Sequence, residues 1–485
     1  MNSLLKPSLL FACPTSSLRT PLASPRLRLP SPAKVALLTM RAAETTARPP
    51  TTVPSWSDLE SGVERAREQL SFPEPDYENG PANSYAVRRL FGQPGPPEIK
   101  LYRDHAAWCP YCHKIVLQLE EKRIPYTIEK INMQCYGDKP AEFLAKVPSG
   151  LLPVLEVGGR VFTESAVIQE VLEQLYPEIP LLPQPGTQEH GRAAGLMRLE
   201  RRLFSDWLQW LCRGGWNVQG NRRAFCKTME AVDDALRATP GPFFLESGLS
   251  LVDLTFAPFL ERIAASMVYY KGFVVRGQGR WPGIDAWFEA MEARDSYRGF
   301  KSDYYTHCHD LPPQLGGCTS ERGSEEAAAA IDGGAWRLPL QPLAADYAYE
   351  AHSPGDDPER DALTAAARLV SNRAAVVPFA LRGASQGARR TARAHLSDPG
   401  RPSAQDPDGA VDAALRCVAG ALLSGTETAA APVAPSEQAA DTVRQSLSYM
   451  RDRICVPRDL PLPAARQLRA HLNWAINGLI MHGSA

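Results

Sequence analysis

The pattern of apolar and polar positions changes along the chain and predicts two successive kinds of architecture. Between residues 97 and 184, short apolar runs alternate with amphipathic stretches in the order strand, helix, strand, helix, strand, strand, helix. Residues 124–131, for example, alternate as a half-buried strand does. From residue 188 to 310 the apolar positions recur at helical spacing in several segments. We therefore expect an α/β domain followed by an all-α domain.

A cysteine pair marks the junction between the first predicted strand and the helix predicted from Pro110 to about Lys122. The sequence there is Trp-Cys-Pro-Tyr-Cys-His-Lys over residues 108–114. A thiol at a helix N-terminus faces unpaired N–H groups and the positive end of the helix dipole, which lower its pKa. Pro110 suits the first helical turn, and Cys112 lies one turn beyond Cys109, close enough for a disulfide. The pattern indicates a redox-active pair with Cys109 as nucleophile.

Three other interpretations of this pair stay open. It could be half of a zinc site, but a closed site takes four ligands, no second Cys-x-x-Cys exists, and the cluster at 307–309 is distant in sequence. With His113 it also matches a covalent haem-attachment pattern, although the helical periodicity that follows and the lack of an export-type segment argue against haem. The two residues could also be buried structural cysteines. We expect redox use and no metal.

Four short motifs follow the first predicted strand in order, over about 80 residues. They are Cys-Pro-Tyr-Cys at the first helix, Lys139-Pro140 at the second, Leu152-Pro153-Val154-Leu155 at a strand, and Glu164-Ser165 at the last helix. Together they resemble the N-terminal domain of glutathione transferases. The resemblance implies a thioredoxin-like domain over residues 97–184, glutathione as co-substrate, and a cis peptide bond before Pro153.

The resemblance also implies glutathione-binding roles for four residues. The backbone of Leu152 would pair with the cysteinyl part of glutathione as an added strand does. Ser165 and its helix N-terminus would hold the γ-glutamyl carboxylate, because helix N-termini bind anions. Glu164 would accept from the γ-glutamyl amino group, and Lys139 would pair with the glycyl carboxylate. Taken singly, these residues could be core, an N-cap and solvated charges, but their joint pattern with Cys109 favours a site.

Residues 188–310 correspond in this resemblance to the helical C-terminal domain of glutathione transferases. Helices are predicted at residues 188–212, 222–238 and 281–291. Ser250 and Asp253 have the spacing of a capping box, so we expect them to be structural. The second substrate would enter the cleft between the two domains. Four aromatic residues could line that cleft, but aromatic side chains at helical spacing are more often core: Trp207, Trp210, Trp216 and Tyr269.

The rest of the chain predicts a linker and a third module. Residues 311–357 are rich in Gly, Pro, Ala and Ser, which predicts a linker with poor intrinsic order. Residues 358–485 show four helical patterns, which predict an all-α module that packs on the transferase or binds a protein partner. A Cys-Pro-x-Cys transferase core with such an extension resembles the iota class of glutathione transferases, found in photosynthetic organisms.

The N-terminus has the composition of a targeting segment. No Asp or Glu precedes Glu44, whereas Lys and Arg are interspersed with Ser, Thr, Pro and Leu. This composition is typical of an organellar transit peptide over residues 1–45, and with the iota resemblance it predicts the chloroplast stroma. A disordered tail can have the same composition. Residues 46–96 predict a Pro-rich lead-in with one amphipathic helix near residues 56–70.

Overall composition argues against several classes of protein. With 53 basic and 54 acidic residues the net charge is −1, which argues against a nucleic-acid partner. Ten cysteines in 485 residues are too few for a disulfide scaffold. No apolar run has the length of a membrane span.

A catalytic cysteine determines the reaction class that the resemblance implies. Cys109 would form a mixed disulfide with glutathione, which suits deglutathionylation and the reduction of dehydroascorbate or glutathionylated quinones. Cys112 would resolve the adduct or protect Cys109 from overoxidation. The alternative is a redox sensor or adaptor that binds glutathione, or a tetrapyrrole-like ligand, without turnover. A prostaglandin-synthase-like isomerase shares the Cys-Pro-x-Cys core, but its anchoring features are absent and the long helical extension is not its pattern.

Overall fold

The computed structural model describes residues 52–133, 137–333, 336–344, 347–353, 357–385, 401–406 and 408–481. The transit peptide predicted at residues 1–45 lies outside these ranges, so that prediction stands on composition alone.

A mixed sheet organises the first domain. Its five strands lie in the order β1-β3-β2-β4-β5 and comprise β1 (Arg88–Arg89), β2 (Ile99–Asp104), β3 (Tyr126–Ile131), β4 (Val154–Val157) and β5 (Arg160–Phe162). β2 pairs parallel with β3, and the other pairs are antiparallel. β2 is buried almost throughout because it lies at the centre of the sheet and both faces are covered.

Helices cover both faces of this sheet. The helices up to the end of this domain are α1 (Trp56–Gln69), α2 (Pro110–Glu121), α3 (Ala141–Lys146) and α4 (Ser165–Leu175). Apolar side chains of α2 and α4 pack with Leu101 and Leu155 on one face. Phe143 of α3 packs with Tyr102 and Val154 on the other. This arrangement confirms the thioredoxin-like fold class predicted for residues 97–184.

Six helices form the second domain, as its helical spacing predicted. They are α5 (Gln188–Cys212), α6 (Val218–Arg237), α7 (Leu251–Lys271), α8 (Pro282–Glu292), α9 (Asp295–Arg298) and α10 (Tyr304–Leu315). Nearly every residue of α7 is buried, because this helix is surrounded by α2, α5, α10 and a later helix. Its apolar residues therefore occupy all sides.

The predicted capping box at the start of α7 is confirmed. Asp253 accepts hydrogen bonds from the Ser250 backbone N–H at 2.9 Å and from the Ser250 hydroxyl at 2.8 Å. Its other carboxylate oxygen accepts from the Trp287 indole at 3.0 Å and from the Phe244 N–H at 3.2 Å. Both residues are buried, and their role is structural.

The segment predicted as a linker differs from that expectation. Residues 311–357 include the end of α10 and the helix α11 (Glu325–Ile331), which packs on α7. Buried side chains recur along the segment: Ala327, Ile331, Leu343, Glu350 and Ala351. The Gly- and Pro-rich composition reports only local backbone preferences. This segment is ordered because its apolar side chains pack on residues that are distant in sequence.

The C-terminal region is all-α, as predicted, and packs on the rest of the protein. It comprises α12 (Pro358–Ser371), α13 (Arg373–Leu381), a 3-10 turn (Arg382–Ala384), α14 (Ala410–Ser424), α15 (Glu437–Arg451), α16 (Leu462–Asn477) and a parallel pair, β6 (Val433–Ala434) with β7 (Ile480–Met481). Arg469 of α16 forms a buried ion pair with Asp303 at the start of α10.

Helix α1 belongs with this C-terminal region rather than with the sheet. It packs on α12 and α14, and the Trp56 indole donates to Asp412 at 2.8 Å. The amphipathic helix predicted near residues 56–70 therefore forms, but its apolar face covers a module that starts about 300 residues later. None of the helices in the described part of the chain combines the length and apolar character that crossing a membrane requires.

Candidate functional site

The sheet register brings several predicted site residues to one end of the first domain. β2 and β3 are parallel and end side by side. β4 starts beside the C-terminal half of β2, and β5 ends beside the start of β4. The segments that contain Cys109, Leu152 and Glu164 therefore leave or enter the sheet at the same end. Lys139 follows β3, which ends at that edge as well.

Cys109 is the N-cap residue of α2, with Pro110 in the first turn. The residue is 9% exposed, so only a small part of it reaches solvent. The sulfur makes no capping hydrogen bond of standard geometry, but the backbone N–H groups of Tyr111 and Cys112 face it. A thiol hydrogen bond from Cys112 lowers the pKa of Cys109, and those N–H groups lower it further. Burial and the Asp104 charge oppose the shift.

Cys112 behaves in the opposite way. It is almost fully buried, and burial raises its pKa well above the usual value, as does the hydrogen bond with Cys109. The pair therefore divides into an ionisable nucleophile and a protonated thiol that donates to it. Both cysteines are in the reduced form.

Asp104 lies beneath the two thiols and was not among the predicted site residues. It ends β2, is fully buried, and accepts a hydrogen bond from the Trp108 backbone N–H at 2.6 Å. One of its carboxylate oxygens has no hydrogen-bond partner among the described residues. The only sequence signal was an acidic residue at the end of the predicted strand, five positions before Cys109.

Arg262 of α7 reaches the same place from the second domain. Its guanidinium donates to the backbone carbonyls of Trp108 and Pro258 and stacks over the Trp108 ring at 4.5 Å from the ring centroid. Burial lowers the pKa of Arg262 to about 10, so it stays charged at neutral pH. Charges on Cys109 and Asp104 favour that charged form. No local sequence pattern marks the contact between Arg262 and Trp108, because Trp108 lies 154 residues earlier in the chain.

A chain of buried polar groups fixes Trp108 itself. The Trp108 indole donates to Nδ1 of His307 at 3.0 Å, so that nitrogen is an acceptor. The other ring nitrogen lies 3.3 Å from Glu261 and therefore carries the proton of the neutral ring. Burial lowers the pKa of His307 well below its usual value, which agrees with a neutral imidazole. His307 thus positions the loop before Cys109 through Trp108. These two hydrogen bonds do not involve the thiols.

The residues predicted to bind glutathione lie where a ligand can reach them. Leu152 is half-buried, and the bond from Leu152 to Pro153 is cis, as the resemblance implied. Glu164 is exposed and has a φ of 66°, an uncommon conformation for a non-glycine residue that clusters at functional sites. Ser165 begins α4 and is half-buried. Lys139 lies over the Phe143 ring, at 5.9 Å from its centroid.

A cavity of about 360 Å³ lies between α2, α4, α5 and α7; Ala166, the neighbour of Ser165, lines it, but the predicted site residues themselves do not. Its lining includes Lys114, the residue five positions after Cys109, together with Glu200 and Arg201 of α5. None of the four aromatic residues that could have lined a cleft lines this cavity, and none was predicted as a site residue. Trp207 and Trp210 are buried in the core of the second domain, and Trp216 is 98% exposed.

The surroundings of the cysteine pair can be compared with those that the zinc and haem alternatives require. A carboxylate oxygen of Asp104 and the sulfurs of Cys109 and Cys112 lie within 4.8 Å of one another, and this is the one such group in the described ranges. Three donors are one short of a closed zinc site. His113, which completes the haem-attachment pattern, is buried, and burial lowers its pKa to about 4. We keep the expectation that the pair acts as thiols.

Asp104→Asn is expected to make Cys109 more acidic. The substitution keeps an oxygen for the Trp108 N–H and removes a negative charge that raises the pKa of Cys109. The midpoint of its alkylation rate by iodoacetamide should therefore move to lower pH. An unchanged or higher midpoint, with the fold intact by circular dichroism, would contradict the electrostatic role of Asp104.

Comparisons with known proteins agree with this architecture. Residues 108–175 match the family described as Glutathione S-transferase, N-terminal domain, and residues 217–290 match Glutathione S-transferase, C-terminal domain. The chain is 30% identical over 190 residues to the probable glutathione S-transferase DHAR1, cytosolic, of Oryza sativa subsp. japonica, a match that covers 39% of this chain and 82% of that relative.

Two further proteins resemble the same part of the chain. Glutathione S-transferase DHAR3, chloroplastic, of Arabidopsis thaliana is 26% identical over 195 residues, which are 40% of this chain and 69% of that relative. The crystal structure of Chlamydomonas reinhardtii dehydroascorbate reductase is 24% identical, covers 42% of this chain and 93% of its own, and aligns with a TM-score of 0.36.

Proposed function

The chain belongs to the glutathione S-transferase family, and on this premise we propose that it is a cysteine-type, glutathione-dependent thiol transferase with Cys109 as nucleophile. The observation that carries the proposal is the asymmetry of the two thiols at the start of α2. Cys109 meets N–H groups and a thiol donor that lower its pKa, whereas burial raises the pKa of Cys112. Disulfide exchange requires a thiolate as the nucleophile, and Cys109 is the thiol of the pair whose surroundings favour that form.

The proposed reaction has two exchange steps. The Cys109 thiolate attacks the glutathione sulfur of a glutathionylated substrate, the substrate–glutathione bond breaks, and the substrate thiolate leaves and takes up a proton. Cys109 is then linked to glutathione. The thiolate of a second glutathione attacks this glutathionyl sulfur, which releases glutathione disulfide and restores the Cys109 thiolate. The substrate is reduced by two electrons, and two glutathione units are joined as the disulfide.

Glutathione would bind across the end of the sheet where the predicted residues lie. The Leu152 backbone would pair with its cysteinyl unit, and Ser165 with the N-terminus of α4 would hold the γ-glutamyl carboxylate. Glu164 would accept from the γ-glutamyl amino group, and Lys139 would pair with the glycyl carboxylate. The exposure of Glu164 and its unusual backbone conformation support this assignment.

The second substrate would be a small glutathionylated compound such as a glutathionyl quinone, or an oxidised compound such as dehydroascorbate. With dehydroascorbate, the Cys109 thiolate would add to a carbonyl carbon, and a glutathione thiolate would then attack the Cys109 sulfur, which releases ascorbate and leaves Cys109 linked to glutathione. The cavity of about 360 Å³ next to α4 offers room for part of such a molecule. Its lining carries charges of both signs, including Lys114 and Glu200. That mixture favours a polar compound over a purely apolar one.

The same proposal includes the class of glutathione transferase and the cellular location. The all-α extension after a Cys-Pro-Tyr-Cys transferase core supports the iota class. The acid-poor first 45 residues support import into the chloroplast stroma. The relatives named above include one called chloroplastic and one called cytosolic, so the location depends on the N-terminal composition.

A turnover assay with a glutathionylated peptide tests the proposal. The full chain should release the peptide thiol and glutathione disulfide at a rate that saturates with glutathione. Glu164→Gln is expected to raise KM for glutathione about 10-fold, because one charge-assisted hydrogen bond is weakened. Glu178→Gln, at an exposed position after α4, should leave KM unchanged. Negligible turnover with intact glutathione binding would contradict the proposal and support the sensor or adaptor alternative.

A further inference from the structure

A second pair of thiols lies far from Cys109 at the boundary of the second domain. Cys212 is the last residue of α5, and Cys318 follows α10 in the segment predicted as a linker. The Thr319 N–H donates to the Leu211 carbonyl at 2.9 Å, so the two cysteines are held side by side by their chain neighbours. The two side chains are close enough for the Cys318 thiol to act on the pKa of Cys212. Both side chains are partly exposed, and both are reduced.

The surroundings of this pair favour a thiolate at Cys212. The Lys271 ammonium, ion-paired with Glu321 at 3.3 Å, donates to the Thr319 carbonyl at 2.6 Å and to its hydroxyl at 2.9 Å, next to Cys318 in the chain. The hydrogen bond from Cys318 lowers the pKa of Cys212 to about 7, and the charges on Lys271 and Arg213 add to the shift. The pKa of Cys318 moves upward, because it is the donor of that bond. This is the same division of roles that Cys109 and Cys112 show.

The other described cysteines lack this combination. Cys308, Cys417 and Cys455 are buried. Cys308 is the other cysteine whose ionisation would affect Cys318, but burial raises its pKa well above the usual value, and its thiol donates to the Ala265 carbonyl at 3.4 Å. Cys226 on α6 is partly exposed. Cys212 and Cys318 thus combine partial exposure to solvent, a neighbouring thiol and a nearby cation.

We propose that Cys212 and Cys318 form a second thiol–disulfide exchange site, separate from the Cys109 site, that reacts with small disulfides such as glutathione disulfide. The Cys212 thiolate attacks one sulfur of glutathione disulfide and releases one glutathione thiolate. The Cys318 thiol then loses its proton to solvent and attacks the Cys212 sulfur, which releases the second glutathione. The protein loses two electrons and two protons and gains one disulfide, and glutathione disulfide becomes two glutathione molecules.

The disulfide would covalently join two parts of the protein that are otherwise held by packing. It connects the end of α5 with the segment that leads to α11 and the C-terminal helices. It closes a loop of roughly 100 residues, and in the chain-entropy account long loops give the larger stabilisation. Oxidation is therefore expected to raise Tm by about 5 °C, and a thiol reductant should reverse the rise.

The test uses the full chain with Cys109→Ser and Cys112→Ser, so that the proposed active-site pair cannot relay the disulfide. The protein is incubated with glutathione disulfide, its remaining thiols are alkylated, and its tryptic peptides are mapped. The expected product joins peptides 203–213 and 302–322 through Cys212 and Cys318. Because Cys308 shares a peptide with Cys318, fragmentation assigns the link. The unsubstituted chain is mapped in the same way, so that the test does not depend on whether the variant folds.

Three further substitutions, each added to the variant with Cys109→Ser and Cys112→Ser, distinguish the two exchange steps. Cys318→Ser should leave a stable glutathionyl group on Cys212, because the resolving thiol is absent. Cys212→Ser should prevent both the adduct and the link. Cys226→Ser, at a similarly exposed site on α6, should change neither result. Full alkylation of Cys212 and Cys318 after treatment, or a link from Cys318 to Cys308, would overturn this proposal. Neither outcome would bear on Cys109, which is absent from the tested protein.

Discussion

Replacing Cys109 with serine is expected to lower kcat/KM for a glutathionylated peptide by about 10³-fold or more. A serine hydroxyl neither ionises near neutral pH nor exchanges with a disulfide. The position, at the N-cap of α2 and facing the N–H groups of Tyr111 and Cys112, is built to stabilise a thiolate. Serine differs from cysteine by one atom at this N-cap position, so we expect the fold to survive the exchange.

Intact mass after treatment with glutathione disulfide measures the adduct directly. The unsubstituted chain should carry glutathione at Cys109, and Cys109→Ser should lack that modification when sites are mapped by peptide. Cys112→Ser is the matched control, because it changes the neighbouring thiol and keeps the nucleophile. Turnover that survives in Cys112→Ser would eliminate an obligatory dithiol route. An adduct at Cys112 in place of Cys109 would contradict the assignment of the nucleophile.

The pH dependence of this reaction follows from the direction of the pKa shift. The pKa of Cys109 is lowered, so its thiolate persists to lower pH than that of an ordinary cysteine. Its alkylation rate should therefore rise with pH and level off below the usual thiol range. Cys112 has a raised pKa and should stay a thiol through neutral pH. A Cys109 profile that levels off at or above the ordinary thiol pKa would contradict the role of the N–H groups and the Cys112 donor.

Arg262→Ala is expected to destabilise the protein by about 3–5 kcal/mol, the largest stability effect that we predict. The change leaves the carbonyls of Trp108 and Pro258 without their donor in a buried place. It also removes the guanidinium that stacks on Trp108, which leaves a cavity between the two domains. Because the Arg262 charge and the Cys109 thiolate favour each other, the pKa of Cys109 should rise as well.

Urea unfolding followed by tryptophan fluorescence measures the loss of stability, and the iodoacetamide profile measures the thiol. Arg202→Ala is the control, since Arg202 lies on α5 with a side chain 64% exposed and makes only a loose contact with Asp206 at 3.8 Å. It should change the free energy of unfolding by about 0.5 kcal/mol or less. Equal effects of the two substitutions would contradict the structural role of Arg262.

Most elements of the transferase domains were predictable because their signals are local. Pro110 starts α2 where the missing N–H costs nothing, and the helix predicted at residues 188–212 has the bounds observed for α5. The capping box of Ser250 and Asp253 was also visible as a spacing in the sequence. Boundaries without such a signal were less accurate. The helix predicted from residue 222 begins at Val218, whose N-cap Asn217 makes no side-chain cap.

The sequence by itself determined the cysteine pair, its position at a helix N-terminus and the order of the glutathione motifs, because each depends on neighbours within a few residues. The tertiary structure alone decided the rest. It decided that Asp104 lies under the thiols, that Arg262 reaches Trp108 from the second domain, and that α1 packs on the C-terminal helices. It also placed Cys318 beside Cys212 within a segment whose composition predicted a linker. Such contacts join residues that are far apart in the chain, and their energy comes from burial and complementary charge in the folded state, which no local pattern records.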